Sequence, residues 1–192
     1  MIYLPLTAID MTPPPFTDGL CDWSRGDGTP GSPTYETGEA GRIVRDDPDF
    51  GDCLEVRKAA PLQRLRYMGE MPLRVGACIE VCVRVKALRG SLPAVRIAAR
   101  PGTFGDAEAA SLPEAGPTVR IGAHAAVTHV RAVIGRAAGE GVDIVWDDRA
   151  LFAYVGLDLI GPGDGVVRIE NLSVRELRAV AEVLRGFEPV VP

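Results

Sequence analysis

Lysine, glutamine and asparagine are almost missing from this chain of 192 residues. Nineteen of its 21 basic residues are arginine, and the two lysines are Lys58 and Lys86. Asp and Glu together number 26, which gives a formal net charge of −5. Because contacts with phosphate need an excess of clustered Lys and Arg, this balance argues against nucleic acid as the main partner.

Long apolar runs and a secretion signal are also missing. No run of about 18 apolar residues occurs, so the sequence predicts no membrane-spanning helix. The opening MIYLPLTAIDMTPPPF lacks the basic segment, long apolar core and small-residue cleavage site of a signal peptide. We therefore expect the chain to be made in the cytoplasm without a signal peptide.

Catalytic and metal-binding motifs are missing as well. The four cysteines, at positions 21, 53, 78 and 82, form no CxxC or Cys/His metal pattern. On an extended strand, Cys78 and Cys82 lie about 13 Å apart, too far for a disulfide, so we expect free thiols. There is no G-x-S-x-G sequence for a nucleophilic serine. These absences predict that the chain is not an enzyme.

What the sequence has instead is alternation. In CIEVCVRVK, apolar Ile79, Val81, Val83 and Val85 alternate with Cys and charged residues, as in a strand with one buried face. Similar segments follow at close intervals, separated by turn sequences such as RPGTFGD, AAGEG and GPGDG. About ten such strands predict an all-β fold, an antiparallel β-sandwich or jelly roll.

The two ends of the chain depart from this pattern. Residues 1–15 are expected to form an N-terminal arm or an added strand, and residues 16–177 the sandwich. In SVRELRAVAEVLRGF, four apolar residues recur at helical spacing: Leu177, Val180, Ala181 and Leu184. We therefore expect a short C-terminal helix that begins near RELR, with residues 178–192 as helix and tail.

Several segments occur in a characteristic order. They are FTDGLCDWS with the Gly/Pro loop to Tyr35, then FGDCLEVRK, LRVGACIEVCVRVKALRG and GDGVVRIENLSV. This order resembles a galactose-binding-like jelly roll of the kind found in carbohydrate-binding modules, over roughly residues 16–177. The last segment is similar to the V-x-I-D-N-V strand of such domains, with Glu170 where Asp is usual. The resemblance implies binding of polysaccharide without cleavage.

The strongest candidate for a sugar site is the segment ALFAYVGLDL. Alternation places Phe152, Tyr154 and Asp158 on the face opposite its apolar residues. Aromatic rings stack on the C–H face of a sugar, and polar side chains bond its hydroxyls. The predicted ligand-binding residues are Trp146, Asp148, Phe152, Tyr154, Asp158 and Tyr35. The alternative is that a terminal segment or a second subunit covers this face.

A structural calcium ion is implied by the resemblance, since many such domains hold one with carboxylates and backbone carbonyls. Asp18, Asp22 and Glu170 are the candidate ligands, because Ca²⁺ prefers hard oxygen donors. The acidic segment DDPDFGDCLEVR lacks the closing Glu and the Gly position of an EF-hand loop. We interpret it as a solvated acidic turn.

These observations predict a non-catalytic domain that binds cell-surface polysaccharide. Without a signal peptide, one route to the cell surface is assembly into a virion or phage-like particle that is released by lysis. The chain would then be a spike or fibre protein of a bacteriophage or of a gene transfer agent. The expected partners are polysaccharide and other protein chains. These chains would be further copies in a homo-oligomer or other proteins of the particle.

Two alternatives to sugar binding stay open. The first is an oligomeric building block without a sugar site. The second is a divergent polysaccharide lyase or glycosidase, since RELR resembles one motif of jelly-roll alginate lyases. Those enzymes also need a Gln-x-His strand, and neither His124 nor His129 has a Gln two residues before it. Without that base the reaction lacks a proton path.

Overall fold

A computed structural model of the chain describes residues 3–10, 23–24, 41–67, 71–72, 78–102, 114–135, 141–145 and 152–179. In these ranges all regular structure is β-strand, arranged in two sheets that share one apolar core. The predicted all-β, antiparallel sandwich is therefore confirmed. The described ranges contain no helix with the length and apolarity needed to cross a membrane.

The first sheet has eight strands in the described ranges: β1 (Tyr3–Asp10), β3 (Gly41–Asp47), β4 (Gly51–Arg57), β7 (Cys78–Arg89), β11 (Thr128–Gly135), β12 (Ile144–Val145), β14 (Val166–Ile169) and β15 (Ser173–Ala179). Strand β7 pairs with β11 on one side, and with β14 and β15, end to end, on the other. Strand β14 leads on to β4 and β3, while β15 pairs with β1. The pairing is antiparallel except between β11 and β12.

The second sheet has seven strands in the described ranges: β2 (Trp23–Ser24), β5 (Leu62–Tyr67), β6 (Met71–Pro72), β8 (Ala94–Gly102), β9 (Glu114–Ala115), β10 (Val119–Arg120) and β13 (Phe152–Ile160). Strand β13 is its centre. It pairs with β8 over its whole length and with β5 from Gly156 to Ile160.

The core lies between the two sheets, on the apolar sides of β7 and β13. The four alternating residues predicted to face inward on β7 do so, each at most 2% exposed: Ile79, Val81, Val83 and Val85. They belong to the same buried cluster as Val155, Leu157 and Leu159 of β13. Removing these side chains from water is the main stabilising term of such a sandwich.

The chain ends meet in the first sheet. The RELR segment, residues 175–178, was expected to start a helix, but it lies in strand β15, with Val174 fully buried and Leu177 4% exposed. This expectation was wrong because β15 pairs with β7 on one side and β1 on the other, and these two ladders outweigh a local helical preference. The N-terminal segment contributes strand β1. Residues 180–192, where the rest of the helix was expected, lie outside the described residues.

The turn between β3 and β4 places Asp47 against the outer face of the first sheet. Its buried carboxylate accepts hydrogen bonds from Lys86 Nζ at 2.7 Å and from Arg168 at 2.6 Å. The backbone N–H groups of Asp49 and Phe50 also donate to it. The Phe50 ring centre lies 4.9 Å from Lys86 Nζ, a cation–π contact. The interpretation of this segment as a solvated turn was therefore wrong for Asp47.

Further ion pairs continue across the outer face of the first sheet. They are Arg42 and Arg168 with Glu55, Arg84 with Glu170, and Arg131 and Arg175 with Glu80. Each of these carboxylates binds at least one arginine, so opposite charges on this face are paired with one another. Here we call it the ion-paired face.

Replacing Asp47 by Ala is expected to lower the free energy of unfolding by about 3 kcal/mol, because buried Lys86 and partly buried Arg168 each lose one of two carboxylate partners. The matched control is Asp52→Ala, which removes an exposed partner of Arg45 and is expected to cost at most about 1 kcal/mol. Urea denaturation followed by circular dichroism measures both. Equal effects of the two substitutions would contradict the buried pairing.

Acid should weaken the fold through the same group. Burial alone would raise the pKa of the Asp47 carboxyl, but hydrogen bonds from Lys86 and Arg168 hold this pKa far below its usual value. The folded pKa lies below the unfolded value of about 4, so this stabilisation is present above about pH 4 and is lost as the pH falls further. Urea denaturation from neutral pH to about pH 3 should show a steeper loss for the native chain than for Asp47→Asn. Parallel losses would exclude this role for Asp47.

Candidate functional site

The outer side of the second sheet is the face that carries the predicted sugar site. Its inward positions, such as Ile97 and Leu157, are buried in the core, so alternate positions of β5, β8 and β13 lie on the outer side. We call these outer positions the β13 face. Strand pairing aligns Arg64, Asp158 and Arg96 in one row across the three strands. We call this the Asp158 row.

Asp158 is 2% exposed, although it lies on the outer side of the sheet. Arg96 Nε donates a hydrogen bond to its Oδ2 at 2.9 Å. The Arg96 side chain keeps 33% of its surface exposed, so the pair joins a buried carboxylate to a partly open guanidinium. A charged pair of this kind anchors the floor of the face, because an unpaired buried carboxylate would be costly.

Arg64, on the other side of Asp158, is not paired in this way. Its Nε atom is buried and has no hydrogen-bond partner. Buried donors are nearly always bonded to protein or water, so an unsatisfied guanidinium donor beside an outer sheet face is unusual. An acceptor on a bound ligand would satisfy it.

The next row along the strands has small residues on β13 and β8. Gly156 lies opposite Ala98 on β8 and Arg66 on β5. Gly156 and Ala98 are both buried, so neighbouring groups cover this row. Two residues further on, Tyr154 lies opposite Arg100. Each pair of residues advances about 7 Å along a strand, so the row of Tyr154 lies about 13 Å from the Asp158 row.

The predicted ligand residues divide between described and undescribed positions. The backbone of Phe152 and Tyr154 lies in β13, at the end of the face away from Asp158. Their side chains lie outside the described residues, as do Trp146, Asp148 and Tyr35 altogether. Of the six, Asp158 is the one whose side chain lies among the described residues. The face is therefore located, while the predicted aromatic contacts stay a prediction.

The predicted calcium ligands are likewise divided. Asp18 and Asp22 lie outside the described residues. The Glu170 carboxylate accepts a hydrogen bond from Arg84 Nε at 2.7 Å on Oε2 and a second from Arg84 on Oε1. In the described ranges, no three His, Cys, Asp or Glu side chains come close enough together to hold a metal ion. Calcium binding stays a prediction, with Glu170 already engaged by a cation.

A protein cation occupies a cage of backbone carbonyls at one end of the sandwich. Lys58 is 1% exposed, and its Nζ donates to the carbonyls of Ala60 and Gly161, and to that of Pro162 at 2.9 Å. The two loops that supply these carbonyls each cross between the sheets, from β4 to β5 and from β13 to β14. Lys58 thus ties both crossings together. Burial lowers the pKa of its ammonium group.

A cleft of about 470 Å³ opens beside Lys58, away from the β13 face. Its lining includes Arg57, Arg89 and Asp164. The register places Arg57 and Arg89 on either side of Val166, at the ends of β4 and β7. Both arginines are exposed.

The described thiols are not poised for catalysis. Burial raises the pKa of Cys53 to about 11 and that of Cys78 to about 12. Burial also raises the pKa of Cys82. The thiolate is the nucleophile, so these groups stay protonated and unreactive at neutral pH. All three are free cysteines, as the sequence predicted.

The arginines of the β13 face were missed from the sequence, although a pattern was present. In LQRLRY and AVRIAARPG, arginine recurs at positions of the same parity, 64 and 66 on β5, 96 and 100 on β8. Strand alternation alone would assign each pair to one face. The strand pairing was needed to show that the two pairs lie on either side of Asp158.

Comparison with known proteins identifies the fold. No family model matches the chain, and no curated protein matches it. The chain is similar to the CBM22-1 and GH10 modules of Clostridium thermocellum endo-1,4-β-D-xylanase 10B complexed with xylohexaose, at 11% identity and a TM-score of 0.57. That match covers 88% of this chain but 28% of the other, so the chain spans less than a third of that protein.

Two further structures match over most of both chains. The CBM22-1 xylan-binding domain of Paenibacillus barcinonensis Xyn10C is 10% identical with a TM-score of 0.55, covering 82% of this chain and 93% of that domain. Another CBM22 xylan-binding domain is 12% identical with a TM-score of 0.50, covering 81% and 86%. The chain thus has the β-sandwich fold of these carbohydrate-binding modules, and fold alone does not assign a function.

Replacing Lys58 by Met is expected to destabilise the domain by about 2–3 kcal/mol, because the partly buried carbonyls of Ala60 and Gly161 lose their ammonium donor and that of Pro162 keeps only Ser91 Oγ. The control is Arg57→Met, which removes the adjacent, exposed cation. Thermal or urea unfolding of both variants measures the difference. An unchanged stability of the Lys58 variant would mean that these carbonyls find other donors.

Proposed function

We propose that this chain is a non-catalytic carbohydrate-binding domain whose β13 face holds a polysaccharide. One arrangement carries the proposal: the positions of Phe152 and Tyr154 share an outer sheet face with the Asp158 row. Aromatic rings and a few well-placed polar groups are what a sugar site requires. The fold supports the proposal, since the similar structures are xylan-binding domains or a module complexed with xylohexaose.

The availability of the face is a second support. On the ion-paired face, Glu55, Glu80 and Glu170 are each bonded to arginine, so few polar groups are left for a ligand. On the β13 face, Arg64 keeps a buried donor without a partner.

The non-catalytic part of the proposal rests on the state of the reactive groups. General acid–base catalysis needs a titratable group free to exchange a proton with the substrate. On the β13 face, the Asp158 carboxylate is buried and bonded to Arg96. The thiols of Cys53 and Cys78 have raised pKa values. These environments favour binding over bond cleavage.

A spike or fibre of a phage-like particle is the setting that we propose for this binding domain. Its support is the sequence argument alone. Mass spectrometry of purified particles from the source organism would test it, and absence of the chain from them would oppose it. Sedimentation of the purified chain tests the alternative of an oligomeric building block, which predicts assembly without retention on any polysaccharide.

Replacing Tyr154 by Ala is expected to weaken polysaccharide binding roughly tenfold, through the loss of a stacking ring. The matched control is Leu92→Ala, an exposed apolar residue in the turn before β8. Affinity electrophoresis against a polysaccharide panel measures binding, and thermal melting checks that both variants fold. Equal retention of the native chain and the Tyr154 variant would exclude the β13 face. No retention of the native chain on any polysaccharide would refute sugar binding.

A further inference from the structure

Arginine surrounds the β13 face. Outer positions of the second sheet carry five arginines, two on each of β5 and β8 and one on β10: Arg64, Arg66, Arg96, Arg100 and Arg120. Along the described parts of β5, β8, β10 and β13, one outer position carries an acidic residue, Asp158. In a chain with a net charge of −5, this is a strong local excess of positive charge.

The single carboxylate does not cancel this excess. Asp158 is buried and bonded to Arg96, and its Oδ2 lies 2.9 Å from Arg96 Nε. Arg64, on the other side of Asp158, has a buried Nε without a partner. The ion-paired face is the opposite case, since Glu55 and Glu80 there each bind two arginines. The described charges are therefore balanced on the outer side of the first sheet and unbalanced on the outer side of the second.

We infer that the ligand of the β13 face is an acidic polysaccharide, one whose sugars carry carboxylate groups. This inference rests on the proposed function and specifies its substrate class. A guanidinium binds a carboxylate through two parallel hydrogen bonds, which makes arginine better suited to this group than lysine. A neutral sugar chain would leave the repulsion between neighbouring guanidinium groups uncompensated.

The spacing of the arginines fits a polymer with repeated charge. Positions 64 and 66 lie about 7 Å apart along β5, and positions 96 and 100 about 13 Å apart along β8. The two strands flank β13, so the basic positions form two lines with the outer positions of β13 between them. A chain lying along β13 would run between these two lines of arginine positions.

Nucleic acid is the other polyanion that such a face attracts. A saccharide is favoured, because the similar folds are xylan-binding domains. Single-stranded oligonucleotide therefore serves as a competing ligand in the test. Tighter binding of the oligonucleotide than of every acidic saccharide would overturn the inference.

The experiment compares each acidic saccharide with its own carboxyl-reduced form. Oligomers of galacturonate, of alginate and of glucuronate-bearing xylan are titrated into the full chain by calorimetry, each beside its reduced, neutral counterpart. We expect at least one acidic form to bind about tenfold or more tightly than its neutral counterpart. We also expect this affinity to fall between about 0.05 M and about 0.5 M NaCl.

Two variants locate the effect. Arg64→Gln removes the guanidinium whose Nε has no partner and should reduce the preference for the acidic form about tenfold, with the binding of the neutral form nearly unchanged. Arg89→Gln removes the same charge at the end cleft and should leave the preference intact. Arg96 is not chosen, because its loss would remove a hydrogen bond from the buried Asp158 carboxylate. Circular dichroism confirms that both variants are folded.

The outcomes separate the inference from the proposed function. If a carboxyl-reduced form binds as tightly as its acidic parent, the inference fails and sugar binding stands. If neither form of any saccharide binds, both fail. If Arg89→Gln removes the preference and Arg64→Gln does not, the acid binds at the end cleft and the inference is wrong.

Discussion

The buried carboxylate of Asp47 is the interaction on which the first sheet depends. It is bonded to Lys86 on β7 and Arg168 on β14, and to two amides of its own turn. One side chain thus joins the β3–β4 hairpin to the centre of the sheet. The remaining carboxylates nearby also bind arginine, so the charged groups on the outer side of this sheet are paired with one another. A ligand is left with the other sheet or the ends of the sandwich.

The two outer sheet sides differ in local charge, which the net charge of the chain does not reveal. A formal charge of −5 argues against a polyanion when the chain is taken as a whole. Among the described residues, arginine neutralises Glu55 and Glu80 on the outer side of the first sheet. The β13 face is left with an excess of arginine. Composition therefore restricts the partners of a protein less than the strand pairing does.

The strands could be predicted because alternation is local. The inward residues of β7 and the buried side of β13 follow from the sequence. Asp47 could not be interpreted correctly, since its partners Lys86 and Arg168 lie 39 and 121 residues away. Residues 173–179 fit both a helix and a strand locally, and their pairing with β1, at the other end of the chain, decides between them. The candidate face was predicted from the sequence, but its arginines were not. Only the pairing of the strands shows that β5 and β8 lie on the two sides of Asp158.

Asp158 has a double effect on this face. By pairing with Arg96 it fixes one guanidinium in the sheet floor, where the burial of an unpaired charge would be unfavourable. It also takes no more than part of the positive charge that the flanking arginines supply, and Arg64 keeps a buried donor without a partner. A carboxylate in this position therefore positions Arg96 without cancelling the charge of the other arginines. The acidic ligand that we infer would meet this guanidinium already held in place, so that little conformational entropy would be lost on binding.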